Sequence, residues 1–370
     1  MAARRRLKRL SAQLAPPGSA PSAATPQPRP WQPVDVDFSD AATVGRRQGA
    51  DNPMVALSRG DVPAVILRRA LPQAECSGLI WRFAERGMLP PAFVPFVSQD
   101  LSDALAAFAG PPGSGGSKWV GLEETGEDPS ATLAERLDIG AALGNLGANQ
   151  PAFFADAAKW HGHYATLFEG LPTQPIELMY GALGALSGGK AVRTACEPDG
   201  SQYCPVIYRS HMPEYGYAPH IDSVRHREKR TDYEVFRFGA QLGGILLLQA
   251  PEREPLRSAG KTPGYTPASD VYHDTIMYDA PCTRTDVAEF LADDGNNAIL
   301  GGMVETSAFR EFAETANLRA FPVDLEVGDM YFFKSDAMHE VPGFTGSLAR
   351  VVQATFIGFS EEDDEIMVWS

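Results

Sequence analysis

Apolar positions along the chain change their rhythm near residue 190. Before it they recur at helical spacing: Phe153, Phe154, Ala157, Trp160, His161, Tyr164 and Phe168 follow one another at intervals that bury one face of a helix. The run 64–71 reads as a strand, and Pro72 then suits the first turn of a helix that continues to about residue 86. Helical spacing dominates 101–170, interrupted by a Gly/Pro loop at 110–116, and a further helix spans 174–186, closed by Ser187, Gly188 and Gly189. His161 and His163, two apart on their helix, point to different sides and are assigned structural roles.

Beyond residue 190 the runs are short and strand-like. Residues 191–195 and 203–210 flank an Asp199-Gly200 turn signal as a hairpin, and 236–249 supplies one or two buried strands. Further strands are expected at 275–278, 321–325, 330–333, 338–341 and 348–359, with helices near 287–291 and 307–316. No internal repeat is visible. Helices followed by many short strands predict an α+β fold, with helices packed on one side of a β-sandwich or barrel.

Residues 1–33 contain no Asp or Glu, carry Arg4, Arg5, Arg6, Lys8 and Arg9, and are otherwise rich in Ala, Ser, Pro and Gln. Such a segment buries too little apolar surface to offset its ordering entropy, so we expect a disordered tail. It is either an untargeted tail of a cytoplasmic protein or an organelle transit peptide of the mitochondrial or plastid kind. Residues 34–370 are expected to form one domain, with helical support over 72–187 and a strand core over about 191–360. The net charge of −15 argues against nucleic acid or an anionic membrane as partner, and the longest aliphatic run, 245–248, is too short to cross a bilayer. The four cysteines form no Cys-x-x-Cys pair, so neither a disulfide framework nor a zinc knuckle is expected. The acidic stretch 361–365 reads as a solvated terminus, with Trp369 beyond it available to pack back on the body.

The chemistry concentrates in two segments. His220 and Asp222 stand two residues apart, a spacing that puts both side chains on one face of an extended chain. Imidazole plus carboxylate is a ligand set for a first-row transition metal, but two ligands do not hold a catalytic ion. His339 is the candidate third. The alternative is a hydrogen-bonded His220–Asp222 pair at a strand end. Arg350 lies in the apolar strand that ends the second segment, where a guanidinium needs an anion, and its planar fork suits a carboxylate. The basic loop 225–230 either binds an anionic group of a substrate, with Arg225 leading, or is a solvated charged loop. His211, His226 and His273 are assigned structural or surface roles.

His220-x-Asp222, the distant His339, Arg350 eleven residues further on, and the Gly328-Asp329-aromatic strand before His339 together resemble the Fe(II)/2-oxoglutarate-dependent dioxygenase superfamily. The order of elements over about 60–360 fits, although roughly ten positions carry the resemblance at motif level. It implies a double-stranded β-helix, or jelly roll, with N-terminal and flanking helices. It further implies iron held by His220, Asp222 and His339, with 2-oxoglutarate and O2 taking the remaining positions. The far carboxylate of 2-oxoglutarate would pair with Arg350. Oxidation of a small organic substrate, by hydroxylation, desaturation or cyclisation, would accompany decarboxylation to succinate. A carboxylate at Asp222 argues against halogenation. Val352 departs from the family, in which many members place Ser or Thr there against 2-oxoglutarate; Tyr208 is our first substitute for that hydroxyl and Thr355 the second. Two readings from other classes use the same residues: a cupin-like zinc hydrolase or isomerase, and a non-catalytic jelly-roll binding module.

Overall fold

Two β-sheets carry the fold, and alternation along their strands decides what faces the space between them. The computed structural model describes residues 31–86, 88–89, 136–143, 150–213, 215–226, 230–251, 274–292, 303–344 and 346–370. The larger sheet contains β1 (Val34–Asp37), β2 (Ala64–Arg68), β3 (Arg136–Ile139), β4 (Ala191–Thr194), β5 (Ile207–His211), β7 (Ala240–Gln249), β10 (Met330–Lys334), β12 (Arg350–Phe359) and β13 (Glu365–Trp369). Its order is β1-β2-β10-β7-β12, with the far edge of β12 shared between β5 and β13. β3 extends β5, and β4 runs parallel to β13. The smaller sheet is β6 (Tyr217–His220), β11 (Ala337–Val341), β8 (Thr275–Pro281) and β9 (Ala320–Val323), in that order.

Successive strand residues face opposite sides, and the large sheet uses both. Tyr208, Met330, Phe332 and Val351 join the core formed with helices α3 (Gln73–Glu85), α4 (Gln150–Leu167) and α5 (Pro175–Leu186) through Phe83, Trp160, Tyr164 and Leu183. Their neighbours Ile207, Tyr331, Phe333 and Val352 form a second cluster with Met277 and Val323 of the smaller sheet. On the other side of that small sheet, Tyr278 and Met338 pack against α6 (Thr285–Ala292) and α7 (Thr306–Thr315) through Val287 and Phe309. Two short helices, α1 (Ala41–Gly45) and α2 (Pro53–Arg59), complete the N-terminal side; Asn52 caps α2 by accepting from the backbone N–H groups of Met54 and Val55.

Gly328 shows why a turn precedes β10. Its φ is 94°, and a Cβ there would lie 2.0 Å from the Leu71 carbonyl oxygen, so only glycine fits. The buried Asp329 then accepts from the backbone of Arg69 and Glu326 and from the Arg68 guanidinium, which ties β2 to β10.

Three expectations change. The hairpin around Asp199-Gly200 is confined to its tip, where the Cys196–Gln202 bridge is flanked by Tyr203 N–H to Ala195 O and Glu197 N–H to Ser201 O bonds, because β4 is taken up by β13 and β5 by β12. The acidic C-terminus is not simply solvated. Glu365 opens β13, paired bidentately with Arg193, while Trp369 packs back on the body as expected and is fully buried. The folded unit begins at Trp31, inside the expected tail: its Nε1 donates to the Gly60 carbonyl at 3.2 Å and its ring lies under the Arg319 guanidinium. Residues 1–30, the part of the expected helical pattern between 101 and 135 with its loop 110–116, positions 227–229 of the basic loop and His273 lie outside the described residues. All four cysteines are free thiols, and among the described residues no helix is long and apolar enough to cross a membrane.

Candidate metal centre and its cavity

The pairing of β6 with β11 sets His220 directly opposite His339, with ring centroids 4.1 Å apart. Asp222 follows the end of β6, and its Oδ2 lies 3.5 Å from His220 Nε2 and 3.6 Å from His339 Nε2. The three ligand atoms are within 4.8 Å of one another, the only such group of His, Cys, Asp and Glu among the described residues. The three residues singled out in the sequence therefore meet.

Each imidazole is oriented by its other nitrogen. His220 Nδ1 is 2.7 Å from the Ala218 carbonyl and His339 Nδ1 is 2.9 Å from the Ala337 carbonyl. A carbonyl only accepts, so each Nδ1 carries the proton and each Nε2 turns a lone pair inward. Second contacts of this kind are what hold metal-ligating histidines in place. Aromatic edges hold the rings laterally, Tyr217 against His220 at 4.2 Å and Phe333 against His339 at 4.9 Å. Asp222 is fixed through its backbone: its N–H donates to the Ser335 carbonyl at 2.8 Å, and Ser335 Oγ returns a bond to the Asp222 carbonyl at 3.0 Å. Gly243 completes this wall, since a Cβ there would lie 2.4 Å from the Phe333 ring that packs on His339.

Burial and the neighbouring His339 push the pKa of His220 down to about 4. Burial alone would raise the Asp222 carboxyl, but the attraction of the His220 imidazole once it takes up a second proton, helped by His339, overcomes this and holds the group well below its usual range. Two inward lone pairs and an ionised carboxylate without a donor among them form an N2O set suited to a divalent first-row cation. The residues present fit iron. They also predict acid lability without it. The unfolded chain takes up a proton on His220 below about pH 6.5, the folded metal-free chain only near 4. Stability therefore falls as pH drops through that window, by roughly 3 kcal/mol from this residue. Urea denaturation in chelator should show the loss, and His220→Asn should make the profile shallower, with buried His211 supplying the remaining dependence; an unchanged profile would remove His220 as a cause.

A cavity opens beside the centre, walled by both sheets. Arg350 reaches it from the first position of β12. The anion that this guanidinium requires is supplied by the chain itself: Nε and Nη2 donate to the two carboxylate oxygens of Asp274 at 2.7 and 2.8 Å, with both side chains buried. Beside them Tyr331 and Thr275, both on the cavity wall, share a hydroxyl–hydroxyl bond of 2.7 Å.

The remaining site assignments move. Tyr208 faces the helices, not the cavity: its ring packs on Phe83 and its hydroxyl donates to Gln353 Oε1 at 2.6 Å. Thr355 borders the cavity, but its hydroxyl is committed to the carbonyls of Pro205 and Trp369. Arg225 is exposed and lies over the Phe236 ring, away from the cavity wall. His211, assigned a structural or surface role, instead lines the cavity together with Arg209. Burial and the adjacent guanidiniums, Arg350 first, hold His211 well below its usual range, so it is neutral. The parity of β5 carried this signal: Ile207, Arg209 and His211 share one face and Tyr208 takes the other. His161 keeps a structural role, with Nε2 bonded to the Tyr203 carbonyl, and His226 caps its turn by donating its backbone N–H to Ser223 Oγ.

No protein-family model and no curated protein matches this chain. Among solved structures it is similar to an N-substituted L-amino acid dioxygenase from Burkholderia ambifaria, at 14% identity over 85% of this chain and 89% of that one, with a TM-score of 0.42. The same enzyme in complex with alpha-ketoglutarate gives 13% identity, the same two coverages and a TM-score of 0.44. HygX from Streptomyces hygroscopicus, with nickel and 2-oxoglutarate bound, gives 9% identity over 80% of this chain and 82% of that one, with a TM-score of 0.31. Likeness at this level says nothing about this chain's own chemistry.

Proposed function

We propose that the protein is an Fe(II)/2-oxoglutarate-dependent oxygenase acting on a small organic molecule, with hydroxylation as the default outcome. One observation carries the reading: two Nε2 lone pairs, each fixed by an Nδ1–H bond to a backbone carbonyl, converge with the Asp222 carboxylate beside a cavity. The strand order supports it. Numbered from β5 as first, the central strands run 1-8-3-6 in one sheet and 2-7-4-5 in the other, the pairing of a jelly roll.

In this reading His220, Asp222 and His339 would hold the iron beside the cavity. Bound iron, with 2-oxoglutarate and dioxygen, supplies the oxidation of a C–H bond coupled to decarboxylation. The chain's own residues orient and exclude water. Asp274 fixes the plane of the Arg350 guanidinium at the basic end of the cavity, where the far carboxylate of the cosubstrate would approach. Phe333, Tyr331 and Val352 give that space apolar walls, the kind of lining that small-molecule sites have.

The test is oxygen-dependent turnover. The full chain, loaded with Fe(II) under anaerobic conditions and then given 2-oxoglutarate and air, should release succinate, faster with some members of a metabolite panel. Turnover with zinc and without oxygen would point to a hydrolase or isomerase instead. Absence of succinate from iron-loaded protein would end the oxygenase reading.

A further inference from the structure

Strand pairing gathers guanidinium groups around the imidazole of His211. Arg350 of β12 and Arg136 of β3 are both direct cross-strand partners of His211, and Arg209 lies two residues before it on the same face of β5. Arg350 is matched by Asp274. Arg136 and Arg209 instead share one carboxylate: Asp138 Oδ2 is 3.1 Å from Arg136 Nη2, and Oδ1 accepts from Arg209 Nε at 3.0 Å. Among the described residues around His211, three cations thus face two carboxylates. Arg209 and Arg350 bring positive charge to the cavity wall, where the one carboxylate side chain among the described residues, Asp222, belongs to the candidate metal centre.

Two donors there lack partners. Arg209 lines the cavity and bonds through Nε alone; among the described residues its Nη1 and Nη2 make no hydrogen bond. His211 Nδ1 lies 3.3 Å from Arg350 Nη1. A guanidinium only donates, so Nδ1 accepts and the imidazole proton is on Nε2. That Nε2–H, on a residue 3% exposed, has no partner among the described residues. Leaving a buried donor unmade costs about 1–3 kcal/mol, a cost that a ligand at this position would recover. A planar fork, one further N–H and a net positive charge suit a carboxylate.

We propose that Arg209 and His211 form a carboxylate-binding subsite in the cavity, the Nη1/Nη2 fork of Arg209 gripping the anion and the His211 Nε2–H completing its shell. The anion is either the far carboxylate of 2-oxoglutarate or a carboxylate of the primary substrate; only the first of these rests on the oxygenase reading. This moves anion recognition from Arg225 on the exposed loop to two residues on the cavity wall.

Calorimetric titration of the Mn(II)-loaded full chain separates the sources. If the subsite takes the cosubstrate, Arg209→Gln and His211→Phe each weaken 2-oxoglutarate binding on the order of 10- to 100-fold while Mn(II) affinity is unchanged. If it takes the substrate, 2-oxoglutarate binding is unchanged in both variants. The wild-type chain then binds hexanoate but not hexanamide, and the variants lose hexanoate by a similar factor. Arg209→Lys keeps the charge and the Asp138 pair without the fork; a partial loss at an unchanged melting temperature excludes misfolding as the cause. A wild-type chain that binds hexanoate but not 2-oxoglutarate would sink the oxygenase reading and leave the subsite standing. Unaltered affinity for both carboxylates in Arg209→Gln and His211→Phe, or no carboxylate binding by the wild type, overturns the subsite.

Discussion

His339→Ala is expected to lower the affinity for a divalent cation by at least about 100-fold, since losing even an outer-shell partner of a metal ligand costs about 10- to 100-fold. The variant removes one of two inward Nε2 donors and leaves His220 and Asp222, a pair that cannot close a site alone. The fold should survive, because β11 keeps its backbone pairing with both β6 and β8. Metal content after anaerobic reconstitution, with a melting curve as control, checks the outcome. A folded His339→Ala protein that retains full metal content would remove His339 from the ligand set.

The second large effect concerns stability. Arg350 and Asp274 are bidentate partners with side chains 2% and 0% exposed. Deleting one member strands the other as a buried, uncompensated charge, which costs about 3–5 kcal/mol. Asp274→Ala and Arg350→Ala should each lose that much in urea denaturation. The double variant Arg350→Met/Asp274→Leu should recover most of it, because replacing both charges with apolar groups is often close to neutral. Single losses below about 1 kcal/mol would mean that the pair does not form. The pair also qualifies the use of Arg350→Ala as a probe of 2-oxoglutarate binding. A raised cosubstrate requirement in that variant has to be read on the fraction that is folded, with metal retention measured alongside.

The candidate metal centre is legible in the sequence because its residue types are scarce and its two halves are local. His220 and Asp222 are two apart, and His339 lies in a short strand behind an aromatic one. Cross-strand pairing then does what spacing alone cannot show, by setting His339 opposite His220. The central strands were legible for a similar reason, since β7, β10 and β12 are apolar runs bounded by turns.

The errors share a different cause. A hydroxyl makes Tyr208 attractive in the sequence, but a strand residue acts on the side to which it points, and the polar face of β5 belongs to Arg209 and His211. The partner of Arg350 is 76 positions away in sequence, and no local pattern marks Asp274 as its anion. β13 hid behind its own charges: Glu365 is held at the edge by Arg193, while Ile366, Val368 and Trp369 are fully buried. The short β3 does alternate, with Leu137 and Ile139 buried and Arg136 and Asp138 half-buried, but four residues are too short a run to stand out, and pairing with β5 is what places it.

Visible absorption during anaerobic addition of 2-oxoglutarate to the Fe(II)-loaded chain tests the centre most directly. The proposed site predicts stoichiometric iron and a new charge-transfer absorption when the keto acid chelates it, both missing from His339→Ala. Iron retained by His339→Ala, or an iron-loaded wild-type chain whose spectrum does not respond to 2-oxoglutarate, would contradict it.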